Sequence, residues 1–79
     1  MHPSELSSLI VFHRKKAGLT QVALASLAGV SRFVVQDLEA GKGRTTLSNV
    51  NAVLDCLNIQ LVAEGPLVDA WKNQEGNNG

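Results

Sequence analysis

Apolar side chains recur at Leu6, Leu9 and Ile10, with His13 and Ala17 on the same helical face, and the run stops at Gly18. That spacing predicts a first helix. Thr20 follows as a residue able to cap backbone donors, and "QVALASLA" behind it predicts a short second helix burying Leu24, Ala25, Leu27 and Ala28 and ending at Gly29. Ser31 caps a third helix that runs to about Ala40 and is closed by Gly41. Only Gly29, Val30 and Ser31 join these two helices, so they must cross steeply, and the small Ala25 and Ala28 let their backbones approach. After the loop "GKGRT", Thr46 caps a fourth helix with an apolar stripe of Leu47, Val50, Val53, Leu54 and Leu57.

The period then changes. "NIQLVA" is rich in β-branched residues, and Ile59, Gln60, Leu61, Val62 and Ala63 read as a strand. A strand with no second strand in its own chain leaves its ladder donors and acceptors unpaired. The economical solution is the same strand from a second copy across a two-fold axis, so a homodimer is expected. Residues 64–79 begin with a Gly-Pro break and end in a polar Gly/Asn-rich stretch, a tail expected to be partly disordered, against an ordered domain over residues 1–63.

Composition narrows the class. A chain of 79 residues, 44% hydrophobic but with two Phe, one Trp and no Tyr, implies one small domain with an aliphatic core. No apolar run nears the roughly 18 residues that span a bilayer. Met1, His2 and Pro3 carry neither the basic start nor the apolar stretch of a secretory signal, so a cytoplasmic location without membrane association is expected. The single cysteine, Cys56, permits no internal disulfide and reads as a small apolar residue on the buried side of a helix. The net charge is zero but unevenly spread: Arg14, Lys15, Lys16, Arg32, Lys42 and Arg44 stand against only Asp37 and Glu39 in the middle of the chain. Lys72 alone faces Asp55, Glu64, Asp69 and Glu75 beyond it.

The positions Thr20-Gln21, Leu24-Ala25, Ala28-Gly29-Val30-Ser31, Val35, Leu38-Glu39 and Gly41-Lys42 form one pattern: short helix, tight turn, second helix held by Val30, Val35 and Leu38. Over about residues 5–65 the sequence resembles the Cro/C1-type helix-turn-helix family, and its "GRTTL" loop, further helix and terminal strand resemble the HipB-like antitoxin branch. The resemblance implies an all-α, four-helix, lambda repressor-like domain whose C-terminal β-strand pairs across a homodimer. In such folds the second helix of the motif enters the major groove. By position, Ser31, Arg32, Phe33, Gln36 and Asp37 become candidates for base contact.

Each has a specific chemistry and an alternative. Arg32 can bridge O6 and N7 of guanine, or clamp a phosphate without sequence preference. Gln36 can pair with adenine or lie solvated on the helix flank. Phe33 and Val34 sit off the apolar stripe of Val35 and Leu38; Phe33 can bury against thymine methyls or fold back on its own domain. Asp37 can accept from cytosine N4 or merely restrain non-specific binding. Gln21, Lys42, Gly43, Arg44 and Thr45 match the family's phosphate-gripping positions. So few cations imply modest affinity per half-site, hence two half-sites about one helical turn apart.

The resemblance also implies a salt bridge between Arg14 and Glu39 tying the first helix to the third. Two apolar patches are unexplained by the fold: Val11 and Phe12 on the first helix, and Leu67, Val68 and Trp71 beyond the Gly-Pro break. They pack on each other within a dimer, or one or both dock a second protein. HipB-like proteins pair with HipA-like kinase toxins, which names the candidate partner. His2 and His13 have no carboxylate or cysteine at ligand spacing, and "EAGKGRTT" lacks the spacing of a phosphate-binding loop, so no metal, cofactor or catalytic role is expected. The function implied is a repressor of its own toxin-antitoxin operon that also holds the toxin; the alternatives are a free-standing phage-type repressor and a partner-blocking protein with secondary DNA binding.

Overall fold

The computed structural model describes residues 1–78, with side chains through Gln74; the tip expected to be disordered falls partly outside the described residues, at Gly79 and the side chains from Glu75 on. Five helices follow one another: α1 (Pro3–Lys16), α2 (Gln21–Ala28), α3 (Arg32–Glu39), α4 (Leu47–Cys56) and α5 (Val68–Asn78).

The helix starts are set by hydroxyl caps. Thr20 Oγ1 accepts from the Ala23 N–H at 3.0 Å, Thr46 Oγ1 from the Asn49 N–H at 3.1 Å, and Ser31 Oγ from the Val34 N–H at a longer 3.4 Å. Helix α1 begins earlier than the apolar period suggests, because the His2 ring accepts from the Ser4 N–H and Pro3 has no N–H to satisfy. Gly29 closes α2 at φ 72°, and the Val30 N–H then reaches back to the Ala25 carbonyl. That left-handed residue turns the chain from α2 into α3. Asn58, at φ 59°, does the same after α4.

Ile10, Leu24, Ala25, Val35, Leu38, Val53 and Leu54 are buried and form the core. Helix α3 packs against both α1 and α2, and α4 closes against α2. Fully burying each large aliphatic side chain contributes about 1.5–3 kcal/mol, so α3 is anchored mainly by Val35 and Leu38 while its far side stays free.

Three expectations need correction. The number of helices among the described residues is five rather than four, since Val68–Asn78 form α5. Residues 59–63 form no strand. The Ile59 N–H bonds to Leu54, but no backbone group of residues 60–64 bonds to another backbone group among the described residues. Leu27, expected in the core, is 66% exposed. At about 100° per residue it lies roughly 110° from the middle of the arc that carries Leu24, Ala25 and Ala28.

Candidate nucleic-acid interface

Helical phase decides what α3 presents. Val35 and Leu38 define its inner side; Phe33 falls almost diametrically opposite, Gln36 and Asp37 flank Phe33, and Arg32 stands at the helix entrance. Accordingly Ser31, Arg32, Phe33 and Gln36 are all exposed, with Phe33 69% open to solvent. Phe33 does not fold back on its domain. Val34, expected outside with Phe33, is half-buried and packed against the core. The Arg32 guanidinium carbon lies 5.4 Å from the centre of the Phe33 ring, so the two most prominent side chains of this face rest on one another. Ser31 already spends an acceptor site on its own helix.

The loop after α3 comes back alongside it. An open groove of about 460 Å³ runs between them, with Phe33, Gln36 and Asp37 on the helix side and Lys42, Arg44 and Thr45 on the loop side. Lys42, Gly43 and Arg44 are exposed, while Thr45 is half-buried and its hydroxyl accepts from Asn49 Nδ2 at 3.0 Å. Asp37 is not a free acceptor. One carboxylate oxygen takes the Arg44 backbone N–H and the other takes Arg44 Nε, both at 2.9 Å. Those two bonds, the backbone one first, hold the Asp37 carboxyl below its usual range.

A second charged cluster lies on the inward flank of α3. Glu39 accepts from Arg14 Nε at 2.6 Å and Arg14 Nη2 at 2.9 Å, a two-pronged pair, and Arg14 Nη1 donates to the Leu19 carbonyl at 2.9 Å. The expected Arg14–Glu39 bridge is therefore present. Gln21 joins it: its Nε2 donates to Glu39 Oε1 at 3.0 Å. The side-chain donor of a residue expected on phosphate thus faces an internal carboxylate. Ser7 Oγ donates to the Glu39 carbonyl, a further tie between α1 and α3. Burial pushes the Glu39 carboxyl up, but Arg14 and Gln21 together outweigh it and leave it below the ordinary range.

The other expected surfaces lie away from this face. Val11 is half-buried, and Phe12 is exposed with Lys16 Nζ 5.6 Å from its ring centre. Val68 is half-buried, whereas Leu67 and Trp71 are exposed, and among the described residues α5 shows no extensive packing with another helix. Ile59 is half-buried against the core; Gln60, Leu61, Val62 and Ala63 are exposed. No helix among the described residues is long and apolar enough to cross a membrane, and no cluster of metal-binding side chains occurs among them. The Asp37–Arg44 contact was missed because nothing in local spacing pairs a helix residue with a loop residue beyond two glycines. The excess of basic residues in "GKGR" beside a lone Asp was the available signal.

A helix-turn-helix family model matches residues 13–63. An uncharacterized HTH-type transcriptional regulator, y4mF, of Sinorhizobium fredii (strain NBRC 101917 / NGR234) is 37% identical over 65 residues, covering 80% of this chain and 86% of the relative. Among solved structures, a chain of the HipA–HipB–O2–O3 complex superposes with a TM-score of 0.72 at 23% identity, covering 82% of this chain and 92% of that one. At that identity the likeness shows a shared fold.

Proposed function

Because the chain belongs to the helix-turn-helix family, whose members are DNA-binding transcription regulators rather than enzymes, we propose that it is a repressor reading a short inverted repeat as a homodimer. The observation that carries this is the outward face of α3, where Arg32, Phe33 and Gln36 are exposed beside the cationic loop of Lys42 and Arg44. A guanidinium, an aromatic ring and a carboxamide on one face suit the edges of guanine, thymine and adenine in the major groove. Lys42, Gly43, Arg44 and Thr45 supply the phosphate grip, with Gln21 contributing through the backbone at the start of α2. The unpaired backbone of residues 60–64 supports pairing of Ile59–Ala63 with the same segment of a second copy.

The regulator is further read as a HipB-like antitoxin that controls its own operon and holds a HipA-like kinase toxin. Support comes from the structural likeness to a chain of the HipA–HipB–O2–O3 complex and from the start of α5, where Leu67 just before the helix and Trp71 within it are exposed. An exposed Trp next to an exposed Leu is the kind of anchor that protein interfaces bury.

Selection of duplexes from a randomised library by the purified protein is the test of the DNA reading. The expected product is an inverted repeat with half-site centres roughly 10 base pairs apart; selection of nothing would sink it. For the toxin, a kinase-like protein should co-purify from the native host and be lost when residues 66–79 are deleted. An inverted repeat without any such partner would leave the free-standing repressor.

A further inference from the structure

We propose that Asp37 is a positioning residue for backbone recognition: it reads no base, but fixes Arg44 and the loop before it so that the Arg44 guanidinium meets a DNA phosphate already aligned with α3. The proposal rests on the DNA-binding reading above and assigns one residue of that face a different task from its neighbours.

Three bonds from two loop residues converge on Asp37. Its main-chain carbonyl accepts the Lys42 N–H at 3.2 Å, and its carboxylate accepts both the Arg44 N–H and Arg44 Nε at 2.9 Å. The loop cannot supply that rigidity itself, because Gly41 and Gly43 both sit at positive φ (71° and 63°) and glycine has the widest conformational choice. The exposures of the two side chains separate their roles: 71% for Arg44 and 13% for Asp37. Little carboxylate surface remains to accept from cytosine, whereas Arg44 Nη1 and Nη2 have no hydrogen-bond partner among the described residues. Holding Nε leaves the outer prongs of the guanidinium for an anion, the geometry in which Arg takes phosphate.

Two effects oppose one another. A carboxylate near a phosphate repels it, which would make Asp37 costly. Against that, an arginine already immobilised in the free protein loses less side-chain freedom on binding. The pairing decides the balance, since an Asp whose charge is matched by Arg44 within 2.9 Å projects little net field.

The experiment is a double-mutant cycle on a duplex selected by the wild-type protein, read by fluorescence anisotropy over a range of salt. Arg44→Ala should weaken binding and lower the slope of log affinity against log salt by about one. Asp37→Asn keeps an oxygen for the Arg44 N–H but gives up the ionic hold on the guanidinium; it should weaken binding about 3- to 10-fold and move the salt slope toward that of Arg44→Ala. In the Arg44→Ala background, where no guanidinium matches the carboxylate, the same Asp37→Asn change should cause no loss and should slightly tighten binding by relieving repulsion. Tighter binding by Asp37→Asn with Arg44 in place, or a steeper slope, would show that repulsion dominates and overturn the proposal. An equal loss in both backgrounds, confined to one base position, would overturn it in favour of direct reading. If the wild-type protein selects no duplex, the DNA-binding reading itself falls, an outcome distinct from any of these.

Discussion

Helix α3 carries two ion pairs, at Asp37 and Glu39, and they have different consequences. Two residues apart means about 200° around a helix, so the carboxylates point to nearly opposite sides. Arg14 and Glu39 are 13% and 7% exposed and knit α1, α2 and α3 together, with Gln21 and Ser7 adding bonds. Arg44 and Asp37 are bound at a similar distance, but the arginine is 71% exposed and the tie is to a loop. The same charge chemistry ties helices together on one side and fixes an exposed loop on the other. What separates them is access to water, which screens the outer pair and leaves the inner one expensive to break.

Removing one half of the inner pair should have the largest effect. Arg14→Ala leaves the Glu39 carboxylate and the Leu19 carbonyl without a shared donor, and should cost about 2–3 kcal/mol, at or below the low end for breaking a buried pair, because both groups are half-buried and Gln21 still donates to Glu39. In a domain this small the melting temperature should fall by more than about 10 °C. A shift of only a degree or two would make the inner pair no more than a surface pair.

Binding should respond next, through the face that the inner pair holds in place. Arg32→Ala should weaken binding to the selected duplex by about 1–3 kcal/mol, with the loss concentrated at one base position. Equal losses on selected and random duplexes would move Arg32 from base reading to phosphate contact. Its melting temperature should stay unchanged, since Arg32 is exposed and its contact is with the equally exposed Phe33.

Acid should sharpen the contrast more gently. The folded Glu39 carboxyl sits below its ordinary value, so its contribution is complete above the usual carboxylate range and is lost as pH falls through the lowered value. The contribution of this pair to stability should therefore hold down to about pH 5 and decline below it. Arg14→Ala removes the cation that opposes burial, so the gap between wild type and variant should narrow in acid. A gap independent of pH, followed by chemical denaturation, would exclude Glu39 as the partner that matters.

How far the sequence showed this can be argued residue by residue. The starts at Thr20, Ser31 and Thr46 and the turn at Gly29 were legible because caps and left-handed glycines act through neighbours two to five positions away. Phe33 was legible as exposed because helical phase alone sets it opposite Val35 and Leu38. Leu27 was misjudged by composition: its apolar character argued for burial, and only its phase relative to Leu24 and Ala25 removes it. Helix α5 was missed because a polar, glycine-containing stretch has low intrinsic helix preference. Gln21 was assigned to phosphate by resemblance, and its bond to Glu39 is a contact across 18 positions that no local pattern encodes. The Arg14–Glu39 tie was available only through the family likeness, for the same reason.

The smallest expected effect is the most demanding of the comparison. Arg44→Ala should leave the melting temperature nearly unchanged at both low and moderate salt. The Arg44 backbone N–H still donates to Asp37 after the substitution, so the loop keeps that anchor, and the guanidinium is open to water that competes for its charge. Without Arg44 Nε, the Asp37 carboxyl should titrate closer to its ordinary value, measurable by carboxyl-carbon NMR while the fold stays intact. The carboxyl should therefore report the lost contact even though stability does not. If Arg44→Ala instead lowered the melting temperature as far as Arg14→Ala, water access would not be what separates the two pairs. The loop would then belong to the folding core, and the division of α3 into a holding side and a presenting side would have to be abandoned.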